Sequence, residues 1–374
     1  MGHRDTRTRG LKQQKGVALL ITITVLFVIV ALVSEVNRNV MASIERAHLG
    51  MERARLSEMA TSAVHIGIAL LMEDKRTTEE DSVHETWADQ EVIKELLAGL
   101  SLGDGEITMT ITDELGKIQV NALVSYPEGR EFNPLQKSLW DSFLRLLNPP
   151  DESLDSLGMN EDILSCLKDF LDFGDDDAVT GINGAENDYY ESLDPPYKAV
   201  NGPLRSLDEL VLVKGITQEM VDRVEMGYKA RDMLTVYGMT QPEQKVDKPA
   251  KGEKKTLFTY PGKININTAD LPVIMALMPD NKSDLENSIA AQAIFDYRSK
   301  RTEDGYAYDL KGTWYLTCPG CEDSGIRTDI ITTSSDYYSI VCKAATKEAA
   351  FTVTAVVRRD GNNGKYTILG WDTD

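Results

Sequence analysis

The sequence predicts an α+β fold: a long N-terminal helix packed on an antiparallel sheet, with a large helical domain inserted. Three observations carry that reading. An apolar run near the N-terminus continues as an amphipathic helical pattern; segments of alternating polarity occur near residues 107–120 and again after 337; between them the pattern is mostly helical. The 374 residues can hold a sizeable core, and the net charge of -20 is spread through the body rather than gathered in a tail. Such a surface repels a nucleic-acid backbone and attracts cations.

The first 16 residues carry Arg4, Arg7, Arg9, Lys12 and Lys15 against one acid, Asp5. From Val17 to Val33 only Thr22 and Thr24 interrupt an apolar run of 17 residues. That is near the lower end of what spans a bilayer as a helix, roughly 17–25 residues. Positive charge before the span predicts a cytoplasmic leader, with the rest of the chain outside the cytoplasm. Three kinds of segment compete. A cleaved secretory signal wants small residues after the apolar run, and Ser34-Glu35-Val36-Asn37 offers no such site. An uncleaved signal anchor is the second. In the third, a peptidase cuts on the cytoplasmic side and leaves the helix attached; Lys15-Gly16 directly before the apolar run resembles the type IV pilin and pseudopilin class in this respect, with cleavage between Gly16 and Val17.

Val36, Val40, Ile44, Ala47, Met51, Ala54 and Met59 recur at three- to five-residue steps, which predicts one helix over 17–72. Ordinary pilins carry Glu as the fifth residue of the mature chain. A carboxylate in lipid is costly unless paired, and its proposed partner is the N-terminal amine of a neighbouring subunit. Here the fifth residue is Ile21. Without the acid the subunit cannot neutralise the amine of a subunit above it, so Ile21 predicts a place at a filament tip. Within the pseudopilin class this absence is characteristic of the K-type minor pseudopilin of type II secretion.

The body divides into a first α/β part at 73–125, a helical insertion at 126–330 and C-terminal strands at 331–374. In ITMTITDELGKIQV (107–120) two alternating runs flank Asp113-Glu114-Leu115-Gly116, predicting a hairpin or an early strand pair. The segments LWDSFLRLL, EDILSCLKDFLDF, SLDELVLVKGI and TQEMVDRVEM predict helices between Pro134 and Tyr228. Residues 241–256, rich in Lys, Glu and Pro, read as an exposed linker. NTADLPVIMALM and SIAAQAIFDYRS form a second helical block, and Tyr337–Val341, Ala350–Arg358 and Tyr366–Trp371 read as an antiparallel meander.

The sharpest chemistry lies at 169–190, where Asp172, Asp175, Asp176, Asp177, Glu186 and Asp188 crowd a stretch containing Gly174, Gly181 and Gly184. Calcium wants six to eight hard oxygen donors on a tightly turning backbone, and glycines permit such turning. The spacing is not that of an EF-hand, and a solvated acidic loop is the alternative. Asp172, Asp175, Asp177, Glu186 and Asp188 are the candidate ligands.

The stretch also resembles the K-type family. Asp169, Asp172, Gly184, Ala185, Glu186, Tyr189 and Tyr190 match its D-W-I-D-x-D…G-A-E-x-x-Y-Y segment, with Phe170 in place of Trp and Gly174 where Asp is common. Leu193–Tyr197, Asn201–Leu204, Glu209–Gly215, Ile264–Ala269 and the positions Asp113, Glu114, Gly116, Lys117 and Asn121 continue the match. The resemblance to general secretion pathway protein K implies a pilin-like fold, bound calcium and methylation. It also implies a tip complex with the I- and J-type minor pseudopilins, contacts with other pseudopilins, prepilin peptidase and the inner membrane, and a periplasmic body.

Two segments, around Lys214-Gly215-Ile216 and around Ile264–Met278, resemble helix-hairpin-helix halves. Acids surround the first (Asp208, Glu209, Glu219, Asp222), so packing explains them better than phosphate binding. Cys318-Pro319-Gly320-Cys321 lacks the βαβ setting of a thioredoxin-like motif, and a structural Cys318–Cys321 disulfide fits a body outside the cytoplasm. All four histidines precede residue 85, so no Ser-His-Asp or Cys-His set can be built in the body and no enzyme activity is expected. A structural and interaction role, with no nucleic-acid partner, is the reading that results. A type IV pilus minor pilin and an anchored DNA-uptake protein are its alternatives.

Overall fold

Helix α1, Thr8–Thr77, is a single helix of 70 residues, about 105 Å long at 1.5 Å per residue. The computed structural model describes residues 8–100, 105–147, 154–174, 179–241, 258–303, 305–360 and 364–374; the expected linker 241–256 lies outside these beyond its first residue. No proline interrupts α1, and the hydroxyls of Thr22 and Thr24 donate back to the carbonyls of Ala18 (2.7 Å) and Leu20 (2.8 Å). That leaves no stranded polar group in the apolar stretch. The helix runs past the expected end at 72 because Glu73, Lys75 and Arg76 are good helix formers, and both bases suit the negative end of the helix dipole.

The two halves of α1 differ in burial. From Val17 to Met51 its large apolar side chains are exposed, whereas Leu56, Met59, Ala60, Ala63, Val64, Ile68 and Leu71 are buried. Those positions form one stripe at helical spacing. Gly67 brings the stripe close to the sheet: a Cβ there would lie 2.9 Å from Met109 Sδ and 3.2 Å from Ile340 Cγ2. After α1 come α2 (Gln90–Ala98), capped by the Asp89 carboxylate and burying Ile93 and Leu97, and strand β1 (Glu106–Asp113).

The expected hairpin at 107–120 does not form. Asp113 caps a 3-10 turn over Glu114–Gly116, and β2 (Ile118–Gln119) then leaves the sheet. Ile118 and Gln119 are both buried, so the segment lacks the solvent face of a hairpin strand. It pairs in parallel with β5 far along the chain. Gly116 is needed at this exit: a Cβ would lie 2.7 Å from Thr268 Oγ1.

The inserted part contains α3 (Pro134–Leu147), α4 (Leu154–Leu171), α5 (Asn187–Glu191), α6 (Gln218–Asp222), β3 (Val224–Glu225), β4 (Tyr228–Lys229) and β5 (Leu234–Thr235). It continues through β6 (Ile264–Asn265), α7 (Leu271–Ala276), α8 (Asp284–Ser299), β7 (Arg301–Thr302), β8 (Gly305–Tyr306) and β9 (Ile331–Thr332). Two expected helices are shorter than the pattern suggests. SLDELVLVKGI holds only a 3-10 helix, Leu207–Leu212, and TQEMVDRVEM gives α6 and then the β3–β4 hairpin. Met226 (φ 53°) and Gly227 (φ 87°) both take left-handed conformations, and such a turn reverses a two-residue hairpin.

Strands β10 (Tyr337–Ala345), β11 (Ala350–Arg359) and β12 (Tyr366–Thr373) form the expected meander, and β1 joins it in the order β1-β10-β11-β12, all antiparallel. Residues paired across these strands share a face. Met109, Ile111, Ile340, Cys342, Val353, Ala355 and Val357 thus meet α1 in one core, while Trp140, Phe143, Phe170, Tyr190, Ile264 and Trp314 belong to a second, in the insertion.

A buried polar junction joins the two cores. Arg359 donates to the carbonyls of Leu71 (3.1 Å) and Ser335, to Asp74 Oδ2 (3.0 Å), to Asp81 and to the Tyr338 hydroxyl (2.8 Å). The insertion reaches the same place: Asn265 Nδ2 donates to the Asp81 carbonyl (3.0 Å) and to Asp113 Oδ2 (2.8 Å), which also accepts from Thr268 Oγ1 (2.7 Å). Truncating one partner of a buried ion pair strands the other charge. Arg359→Met should therefore lower unfolding stability by about 3–5 kcal/mol, checked by urea denaturation, whereas Arg358→Met at the half-buried neighbour, whose ion pair with Asp360 is open to solvent, should cost under about 1 kcal/mol.

The junction also predicts a pH dependence. Burial, helped by the neighbouring Asp74, pushes Glu85 from 4.5 up to about 8, and burial pushes Asp113 from 3.8 up to about 6. Both carboxyls stay protonated in the folded chain at pH values where the unfolded chain has released the protons. Their contribution to stability is fully present below about pH 4 and is lost as pH rises through 6 and then 8. Urea midpoints should fall across this window, with a shallower fall in Glu85→Gln; an equal slope in both proteins contradicts the assignment.

Candidate functional site

The acidic stretch is built on the end of α4. Phe170 and Leu171 are fully buried and fix that end in the insertion core, with the Phe170 ring edge-on to Tyr190 at 5.2 Å. On the same turn Asp169 and Asp172 point away together. Asp169 is buried and accepts from the backbone amides of Thr180 (3.0 and 3.2 Å) and Ala185 (3.0 Å). Glu186, buried just before α5, brings the third carboxylate. One oxygen from each of Asp169, Asp172 and Glu186 lies within 4.8 Å of the others.

Three features bear on whether a cation fits. The donors are hard oxygens, the kind calcium takes. Lys168 Nζ already stands against them, 2.6 Å from Asp172 and 3.8 Å from Asp169. Gly184 leaves room at the cluster's edge, since a Cβ there would lie 2.2 Å from Asp169 Oδ2 and 2.5 Å from the Thr180 carbonyl. The residues fit a hard divalent cation. The loop is held from outside as well, because Cys166 Sγ (3.2 Å) and Lys214 Nζ (3.0 Å) both donate to the Asn183 carbonyl.

Of the ligands expected from sequence, Asp172 and Glu186 come together, Asp188 is exposed on α5, and Asp175 and Asp177 lie outside the described residues. Asp169, matched only through the family pattern, takes a central place. Its spacing of three from Asp172, across the end of α4, is the available signal. Lys168 carried no signal at all. Elsewhere, α1 passes unbroken through Gly16 and Val17, Ile21 is exposed, and Cys318 and Cys321 form a buried disulfide. Lys214, at the hairpin-like turn, is engaged by the acidic stretch and by the Tyr189 ring, 4.8 Å away.

An exposed apolar helix, a four-stranded sheet packed on its distal half and a helical insertion define a pilin-like fold. Among the described residues there is one helix long and apolar enough to cross a membrane. A family model, type II secretion system (T2SS), protein K, matches residues 116–226. The type II secretion system protein K of Klebsiella pneumoniae is 26% identical over 57% of this chain and 61% of its own length, so the match spans under two thirds of that relative. That of Pseudomonas aeruginosa is 24% identical over 96% of this chain and 92% of its own length. A chain in the crystal structure of the GspK-GspI-GspJ complex from the enterotoxigenic Escherichia coli type 2 secretion system has the same fold, with a TM-score of 0.59 and 19% identity over 88% of this chain and 99% of that one. Over these spans the chain is similar to type II secretion system protein K.

Replacing Gly184 tests the cradle. Gly184→Ala forces a methyl against backbone as well as a carboxylate, and should lower the thermal midpoint by an amount equivalent to about 1–3 kcal/mol. An Ala at Gly174, where a Cβ meets nothing within 4 Å but φ is 143°, gives the purely conformational comparison.

Proposed function

We propose that the protein is a minor pseudopilin at the tip of a type II secretion pseudopilus. In this reading it is made as an inner-membrane precursor with a cytoplasmic N-terminus and a periplasmic body, and prepilin peptidase cuts between Gly16 and Val17. The observation that carries the proposal is the free half of α1. Its large apolar residues from Val17 to Met51 are exposed, and Ile21 stands where a carboxylate would pair with a neighbour's amine. The first 17 of these residues span about 25 Å as a helix, enough to anchor in a slightly thinned bilayer.

Beyond the membrane the same apolar face continues through Val36, Val40, Ile44 and Met51, all exposed. Lipid covers the first part and only other helices can cover the second, which fits I- and J-type partners and other pseudopilins packing alongside α1. A subunit that lacks the acid can be held from below and from the sides but offers nothing to a subunit above. The helical insertion would then cap the filament and support export across the outer membrane.

Calcium is the cation proposed for the cluster, held by Asp169, Asp172 and Glu186. It supplies positive charge that ties the end of α4 to the start of α5. Its stabilisation follows mass action, about 2.7 kcal/mol at a concentration one hundred times the dissociation constant. Thermal midpoints in calcium and in chelator should differ clearly, and identical midpoints count against a bound ion.

Mass spectrometry of the protein recovered from membranes tests the anchor. A mature chain starting at Val17 is expected; an intact leader or a start beyond Val33 overturns the class. Copurification with secretion-system rather than pilus subunits decides which filament it joins.

A further inference from the structure

We infer that Lys168 is a resident counter-cation that competes with a metal ion for Asp172 and thereby sets the affinity of the acidic cluster; this rests on the calcium reading above. Its Nζ lies 2.6 Å from Asp172 Oδ2 and 3.8 Å from Asp169 Oδ1, and its side chain is only 13% exposed. Asp172 follows the last residue of α4 and its amide still donates to the Lys168 carbonyl (2.9 Å), so the pair lies one turn apart and is set by helix geometry. Three buried carboxylates within 4.8 Å of one another repel, and a positive charge among them eases that repulsion before any metal arrives.

A divalent ion and an ammonium on the same carboxylate repel strongly in a poorly hydrated space, because both are positive and only a few ångströms apart. Binding therefore requires the ammonium to withdraw. Its four-carbon stem allows that, and Glu131 is a further acid acting on the same ammonium. The cluster thus has two closed forms. One is held by lysine when calcium is scarce and the other by calcium when it is abundant, at the cost of a weaker apparent affinity for the ion. The body can fold before it meets calcium, and the ion then tightens a structure already formed.

Calorimetric titration with calcium chloride alone, on the full chain in detergent after chelation, tests this in wild type, K168M, K168Q and K168R. K168M and K168Q should bind calcium roughly tenfold tighter or more and should melt earlier than wild type in chelator, with the gap closing in calcium. K168R keeps the charge and should bind within about threefold of wild type. Folded K168M or K168Q that binds calcium no tighter than wild type, or K168R that tightens as much as they do, overturns the role of Lys168 and leaves the calcium reading standing. No calcium binding by any of the four proteins overturns both.

Discussion

A guanidinium with no exposed surface sits where α1, the sheet and the insertion meet. Arg359 closes the end of β11, and the groups that receive it come from α1 (Leu71, Asp74), the following loop (Asp81) and the segment leading into β10 (Ser335). Tyr338 Oη donates to Asp81 Oδ1 at 2.6 Å, and the Ser335 amide donates to Asp81 Oδ2 at 2.7 Å, so the carboxylate is fixed from three sides. Asn265 extends the same network into the insertion. Hydrophobic burial stabilises each core without regard to direction. The polar junction gives them a fixed relation, because each group that leaves its partner is stranded without water.

The acidic cluster does on a smaller scale what Arg359 does at the junction. In both places buried carboxylates are gathered from separate segments and a cation holds them together. At the junction the cation is permanent, since arginine does not lose its charge and forks between Asp74 and Asp81. At the cluster it is a lysine on a flexible stem, which can yield its place. The difference in side chain separates a structural joint from an exchangeable one.

Long periodic patterns were legible in the sequence. The apolar run with its amphipathic extension gave α1, and the alternating segments after Tyr337 gave β10 to β12, because one buried face imposes its period on the residues. The segment at 107–120 misled for the same reason: its alternation is real in β1, but Ile118 and Gln119 are buried on all sides and pair with Leu234 and Thr235. The helical pattern of TQEMVDRVEM breaks where Met226-Gly227 reverses the chain, a matter of backbone sign that residue types only hint at. The acidic stretch stood out by composition. Which of its carboxylates converge depended on the α4 end and the Gly184 turn, and the roles of Lys168 and Arg359 depended on partners up to 288 residues away.

A tip position requires that the free half of α1 be covered by neighbours on its sides and that nothing stack above the insertion. Gold labelling of a tag on the insertion, viewed on sheared filaments by electron microscopy, reads that arrangement directly. Label at one end only, about one site per filament, is the predicted result. Label repeating along the filament wall would contradict it, because a subunit with Ile21 in place of the carboxylate would then have others built upon it.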